Sequence, residues 1–89
     1  MAGFVGMDVE GVQKLGSDLG NRAQEIEQIL NVLTSALGNT QWVGTDATNF
    51  RNEWQSQHVP ALRNVAHALQ NAQQSCVRNA QQQASASGN

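Results

Sequence analysis

Cysteine and proline occur once each in this 89-residue chain, at Cys76 and Pro60. A single cysteine excludes an intramolecular disulfide framework and leaves no second thiolate from which a zinc site could start. No stretch approaches the roughly 18 consecutive apolar residues of a membrane span. Five Lys and Arg against seven acids leave a net charge of −2. That balance lacks the basic stripe of a nucleic-acid binder. The opening residues Met1 to Asp8 lack the basic segment and long apolar core of a signal peptide. Taken alone, that absence implies a cytosolic protein. A chain of this size forms one small domain, which buries only about 60% of its unfolded surface. Its core is marginal, so help from a partner is expected.

Catalytic chemistry is equally sparse. There is no Gly-rich phosphate loop, no nucleophile–base pair and no cluster of metal ligands. His58 and His67 are nine residues apart and point in opposite directions on a helix, so they cannot share a metal. His58 lies near the apolar stripe described below, which suits a partly buried polar contact. No acid follows Glu53, so no carboxylate of its own helix is expected to orient it. Cys76 occupies a stripe position, where a small buried hydrophobe is the default. Near a dimer dyad it could form an intersubunit disulfide. The expectation is a non-enzymatic protein with no cofactor and no metal.

What the chain does contain is amphipathic helix. Val12, Leu15, Leu19, Ala23, Ile26, Leu30, Leu33 and Leu37 recur at three- and four-residue steps. At about 100° per residue all eight fall within about 40° of Leu19. Asp8 is placed to cap this helix, with Glu10 in its first turn. Gly38-Asn39 offers a stop. Gly11, Gly16 and Gly20 imply either a weak first half or a close approach by a neighbouring backbone, and the weak start is the expectation. A second helix begins at Thr45 or Asp46, either of which can cap it. Phe50, Trp54, Ala61, Val65, Ala68, Ala72 and Cys76 share its stripe, with Leu69 slightly further round. Pro60 predicts a kink there, with the stripe keeping its phase across it.

Gln and Asn together number 21, so amides coat the polar faces. All seven acids lie in residues 1–54, giving −4 for that part, and Arg63 and Arg78 give +2 for the remainder. Side by side, the two parts would attract weakly and in a salt-sensitive way. The predicted organisation is a flexible segment at 1–7 and a helical hairpin over 8–82. Helix 1 occupies about 8–37, a corner 38–45, and helix 2 about 46–82. A disordered tail at 83–89 follows, too poor in apolar surface to fold. The predicted fold class is all-α: an antiparallel two-helix hairpin, dimerising into a four-helix bundle. One stripe against another cannot exclude water from both sides, so a second hairpin is expected to cover the remaining apolar flank.

The two helices meet at Gln41-Trp42-Val43-Gly44-Thr45-Asp46. Tryptophan is an unusual turn residue. It either covers the end of the helix pair or offers an aromatic for docking. The run from Trp42-Val43-Gly44 through Phe50 to Trp54, between two helices in a short chain, resembles the WXG family of type VII (ESX) secretion substrates. These include relatives of the early secreted antigenic target of mycobacteria, and the wording of residues 42–83 is most similar to actinobacterial members. The resemblance implies a hairpin in homo- or heterodimeric four-helix bundles with another W-x-G hairpin. It implies secretion in folded form, without a cleaved signal peptide, by a membrane ATPase machine. That would reverse the cytosolic expectation. It would also place Trp42 and Gly44 in the surface that the machine recognises.

One departure stands out. The family's export signal includes a Tyr-x-x-x-Asp/Glu element after the second helix, and this chain has no tyrosine and no acid beyond Glu53. It is then the signal-less half of a heterodimer, a user of another tail signal, or not exported alone. Two rival readings stay open. One is a membrane-active amphipathic protein, although its polar faces carry Gln and Asn where interfacial helices carry Lys and Arg. The other is an intracellular chaperone or structural adaptor using the same hairpin.

Overall fold

The computed structural model describes residues 6–87, with side chains as far as Ser85. Most of the expected flexible start (1–5) and the end of the expected tail (88–89) lie outside that range. Helix α1 spans Val9–Asn39 and α2 spans Thr45–Glu53. A π-helical segment, Trp54–His58, joins α2 to α3, Val59–Ser87. The last three run end to end as one arm, which folds back antiparallel along α1. The chain is an all-α helical hairpin. At about 1.5 Å per residue α1 is about 46 Å long and the second arm about 64 Å. The longest dimension is 66 Å. The second arm therefore overhangs the start of α1. Helix α3 continues to Ser87, past the predicted end at 82 and into the segment expected to be disordered. No glycine or proline interrupts residues 61–87, and their Ala and Gln are good helix formers.

Both ends of α1 are closed by side chains. Asp8 caps its start as expected, with Oδ1 accepting the Gly11 N–H at 3.1 Å. The other end departs from the expected glycine stop. Gly38 and Asn39 are helical, and Thr40 ends the helix in extended conformation. The Thr40 hydroxyl donates to the Ala36 carbonyl at 2.6 Å, bonding back four residues onto the last helical turn.

The seam between the arms is built from small residues. Gly16, Ala23 and Leu30 are buried on α1, facing Val59, Ala66 and Ala80 on α3, and Ala47 is buried on α2. Small side chains let the two backbones come close. A Cβ added at Gly16 would lie 3.2 Å from Cys76 Cβ and 3.5 Å from the Gln73 carbonyl oxygen. One at Gly20 would fall 2.6 Å from Gln73 Oε1. The weak start expected for α1 is therefore replaced by the other alternative. The helix is unbroken from Val9, and Gly16 and Gly20 are where the second arm approaches.

Just before Pro60, where a kink is expected, the helix holds the π segment. The Val59 N–H bonds to the Trp54 carbonyl, five residues back. The π turn thus absorbs one extra residue, and everything after it rotates by about 100° relative to an uninterrupted α-helix. The phase that the sequence carries unchanged through Pro60 is therefore wrong for the seam. Val59, Leu62, Ala66, Leu69, Gln73 and Ala80 turn towards α1, while Ala61 and Val65 do not. Val65 is 48% exposed in the single chain and its neighbour Ala66 is fully buried. Ser56 Oγ donates to the Asn52 carbonyl at 2.7 Å within the same stretch.

Candidate interaction surface

The corner carries the most distinctive geometry. Gly44 is the residue before α2, with φ +125° and ψ −178°, a conformation essentially confined to glycine. It replaces the expected side-chain cap by Thr45 or Asp46. Its carbonyl accepts the Thr48 N–H at 3.0 Å and the Thr48 hydroxyl at 3.2 Å. A side chain at position 44 would be strained in this conformation, which glycine adopts freely. The Trp42 ring meets Phe50 with centroids 5.5 Å apart at 51°, a tilted aromatic pair. Val43 projects outward, 95% exposed. Beneath them the Arg51 guanidinium donates to the carbonyls of Trp42 at 2.8 Å, Thr40 at 3.2 Å and Leu37 at 3.4 Å.

A second feature is an apolar face along the hairpin. Around α1, Leu15 and Leu33 sit about 80° from Ala23 and Ile29 about 120°, all in one rotational direction. Around α3, Cys76 lies about 80° and Val65 about 100° from Ala66, again in that direction. For two antiparallel helices, flanks of the same rotational sense fall on the same side of the pair. Leu15, Ile29, Leu33, Phe50 and Val65 are all more than 40% exposed in the single chain, on this one face. The opposite face is polar and carries an ion pair between the arms, Arg63 Nε to Glu27 Oε2 at 4.0 Å. At the corner end, Leu33, Ala36, Leu37, Thr40, Phe50 and Trp54 enclose an open groove of ≈ 220 Å³. Trp54 forms its inner wall and donates its indole N–H to Thr34 Oγ1 at 3.0 Å.

The residues assigned to the stripe thus divide between two surfaces. Leu30 is buried in the seam. Val12, Leu19, Ile26 and Leu37 on α1 are half-buried, as are Trp54, Leu69, Ala72 and Cys76 on the second arm. Leu15, Leu33, Phe50, Ala61 and Val65 are exposed, as are Trp42 and Gly44 at the corner. The predicted stripe was centred between the seam and the open face, because the apolar residues of each helix serve both. Four residues that matter to the packing were missed: Ala47, Val59, Ala66 and Ala80. Arg51 was missed as well, since its partners are 9, 11 and 14 residues away. A cation beside the carbonyl end of the preceding helix is the one signal that points to it.

His58 also differs from its expected setting. It is exposed, with Nε2 3.5 Å from Glu53 Oε1 and its ring 5.9 Å from that of Trp54. The sequence reading denied it a carboxylate on its own helix. The wider π turn supplies one, bringing residues five apart onto the same side. Cys76 is a free, half-buried thiol. Among the described residues no group of three or more His, Cys, Asp or Glu could hold a metal ion. No helix among them is long and apolar enough to cross a membrane. No family model, curated protein or solved structure matches the chain.

Proposed function

We propose that this protein is a non-enzymatic interaction module of the W-x-G type, exported in folded form as a helical-hairpin dimer by a type VII secretion machine. The observation that carries the reading is the single apolar face shared by both arms, ending at an exposed Trp-x-Gly corner. A polar chain has no packing use for Leu15, Ile29, Leu33 and Val65 in the open. A second hairpin laid on that face would complete a four-helix bundle and remove them from water. The partner is another W-x-G hairpin, either a second copy or a different chain. In either case Trp42 and Val43 are presented to the ATPase.

The reading is tested by expressing the chain in a host with a type VII system and assaying culture supernatant against a cytosolic lysis marker. Appearance in the supernatant, alone or with a co-expressed partner, supports it. Retention in the cell under both conditions supports the intracellular adaptor instead. Leakage of liposomes at neutral or acidic pH would favour the membrane-active reading.

A further inference from the structure

We propose that Arg51 is a latch that holds the Trp-x-Gly corner in one preformed shape, independently of the seam that holds the arms together. This rests on the reading of the corner as a recognition surface. The guanidinium reaches the last turn of α1 through Leu37, the residue that ends it through Thr40, and the corner itself through Trp42. From α2 it therefore holds three backbone points on the other side of the turn, all before Gly44. All three acceptors are carbonyls that the helix end and the turn leave without helical partners. Charge-assisted bonds from a planar, forked donor are among the stronger and more directional contacts available to a half-buried side chain.

Arg51 is also one residue along from Phe50, whose ring carries Trp42. The same turn of α2 thus supplies both the aromatic under Trp42 and the cation that fixes the Trp42 carbonyl. The other restraints on the corner are the Trp42–Phe50 ring contact and the bonds at its two ends, Thr40 to Ala36 and Thr48 to Gly44. Val43 makes almost no contact with the rest of the chain, and Gly44 has open space around its Cα. Without the latch, residues 40–44 are held at their two ends only, and the Trp42 ring is free to leave Phe50. Ordering that surface anew for each encounter costs affinity, which a preformed corner avoids.

The test is residue-resolved amide exchange and Trp42–Phe50 ring contacts by NMR, on the full chain carrying Arg51→Gln and, separately, Arg51→Lys. With Gln, exchange at Gly38, Asn39, Thr40 and Thr48, whose amides are hydrogen-bonded at the two helix ends, is expected to rise roughly tenfold and the ring contacts to vanish. Seam amides at Ala23, Leu30 and Ala66 are expected to keep their protection. Lys preserves the charge but not the fork, so an intermediate loss is expected. An unchanged corner in Arg51→Gln overturns the proposal. Equal loss of protection in corner and seam, in both variants, also overturns it, because Arg51 would then support the whole fold. If the corner loosens while export and partner binding stay as in the wild type, the latch stands and the recognition role of Trp42 falls.

Discussion

The indole N–H of Trp54 donates to Thr34 Oγ1 at 3.0 Å, linking the two arms beside the π segment. It is the side-chain hydrogen bond that ties the wall of the corner groove to α1. Replacing Thr34 by Val keeps the shape and removes the acceptor. The half-buried indole then loses its partner, and chemical denaturation should show a loss of about 1 kcal/mol. Thr34→Ser, which retains the hydroxyl, should lose less.

Gly44→Ala tests the turn itself. At φ +125° a side chain is strained even where space is open, and nothing lies within 4 Å of an added Cβ. The expected cost is about 1–3 kcal/mol, all of it from the clash of Cβ with its own backbone and none from neighbouring residues. Gly38→Ala is the matched control. It too has open space, but it lies in regular helix, so the same change should be neutral or stabilising by up to about 1 kcal/mol.

The π segment predicts an asymmetry between deletions. Removing Gln57 leaves an α-helix whose two halves still point Ala47 and Ala66 at α1. The variant should therefore keep a cooperative melt, with Glu53 and His58 still facing each other because they become four residues apart on an α-helix. Removing Asn64 leaves either the residues after it, or Val59 and Leu62 if the π turn is lost, about 100° out of the seam, and should lower the melting temperature more than removing Gln57. Circular dichroism of the two variants separates them.

These elements also show how far the sequence could be read. The long apolar spacing from Val12 to Leu37 marks α1, and Asp8 marks its start. Trp42-Val43-Gly44 marks the reversal, because a helix-length pattern stops there and resumes beyond it. The phase of α3 was not legible, since a π turn leaves no spacing signal of its own. Ala61 and Val65 match the α-helical phase of Trp54, and the extra residue cannot be seen until Val59 is found bonding to Trp54. Nor could Gly16 be told from a mere weak point. Its purpose depends on Gln73 and Cys76, which are distant in the chain and adjacent only after folding.

Trp42 and Trp54 should respond differently to truncation. Trp42 sits on Phe50 at the exposed corner, whereas Trp54 forms the groove wall and bonds to α1. Trp54→Ala should cost about 2 kcal/mol in stability, from the half-buried ring and the lost indole hydrogen bond. Trp42→Ala should cost clearly less, while impairing export or partner recognition. Equal unfolding by both would remove the support for Trp42 as a recognition residue.

The central claim is that the open apolar face exists to be covered by another hairpin. Light scattering across a concentration range tests it, comparing the wild type with the double variant Leu33→Asp, Val65→Asp. The account predicts that the wild type associates, either as a dimer of twice the 9.6 kDa chain mass or as larger species awaiting a different partner. The double variant should remain helical and run as a monomer, because both residues point away from the seam. A wild type that stays a monodisperse, fully helical monomer at every concentration would contradict it.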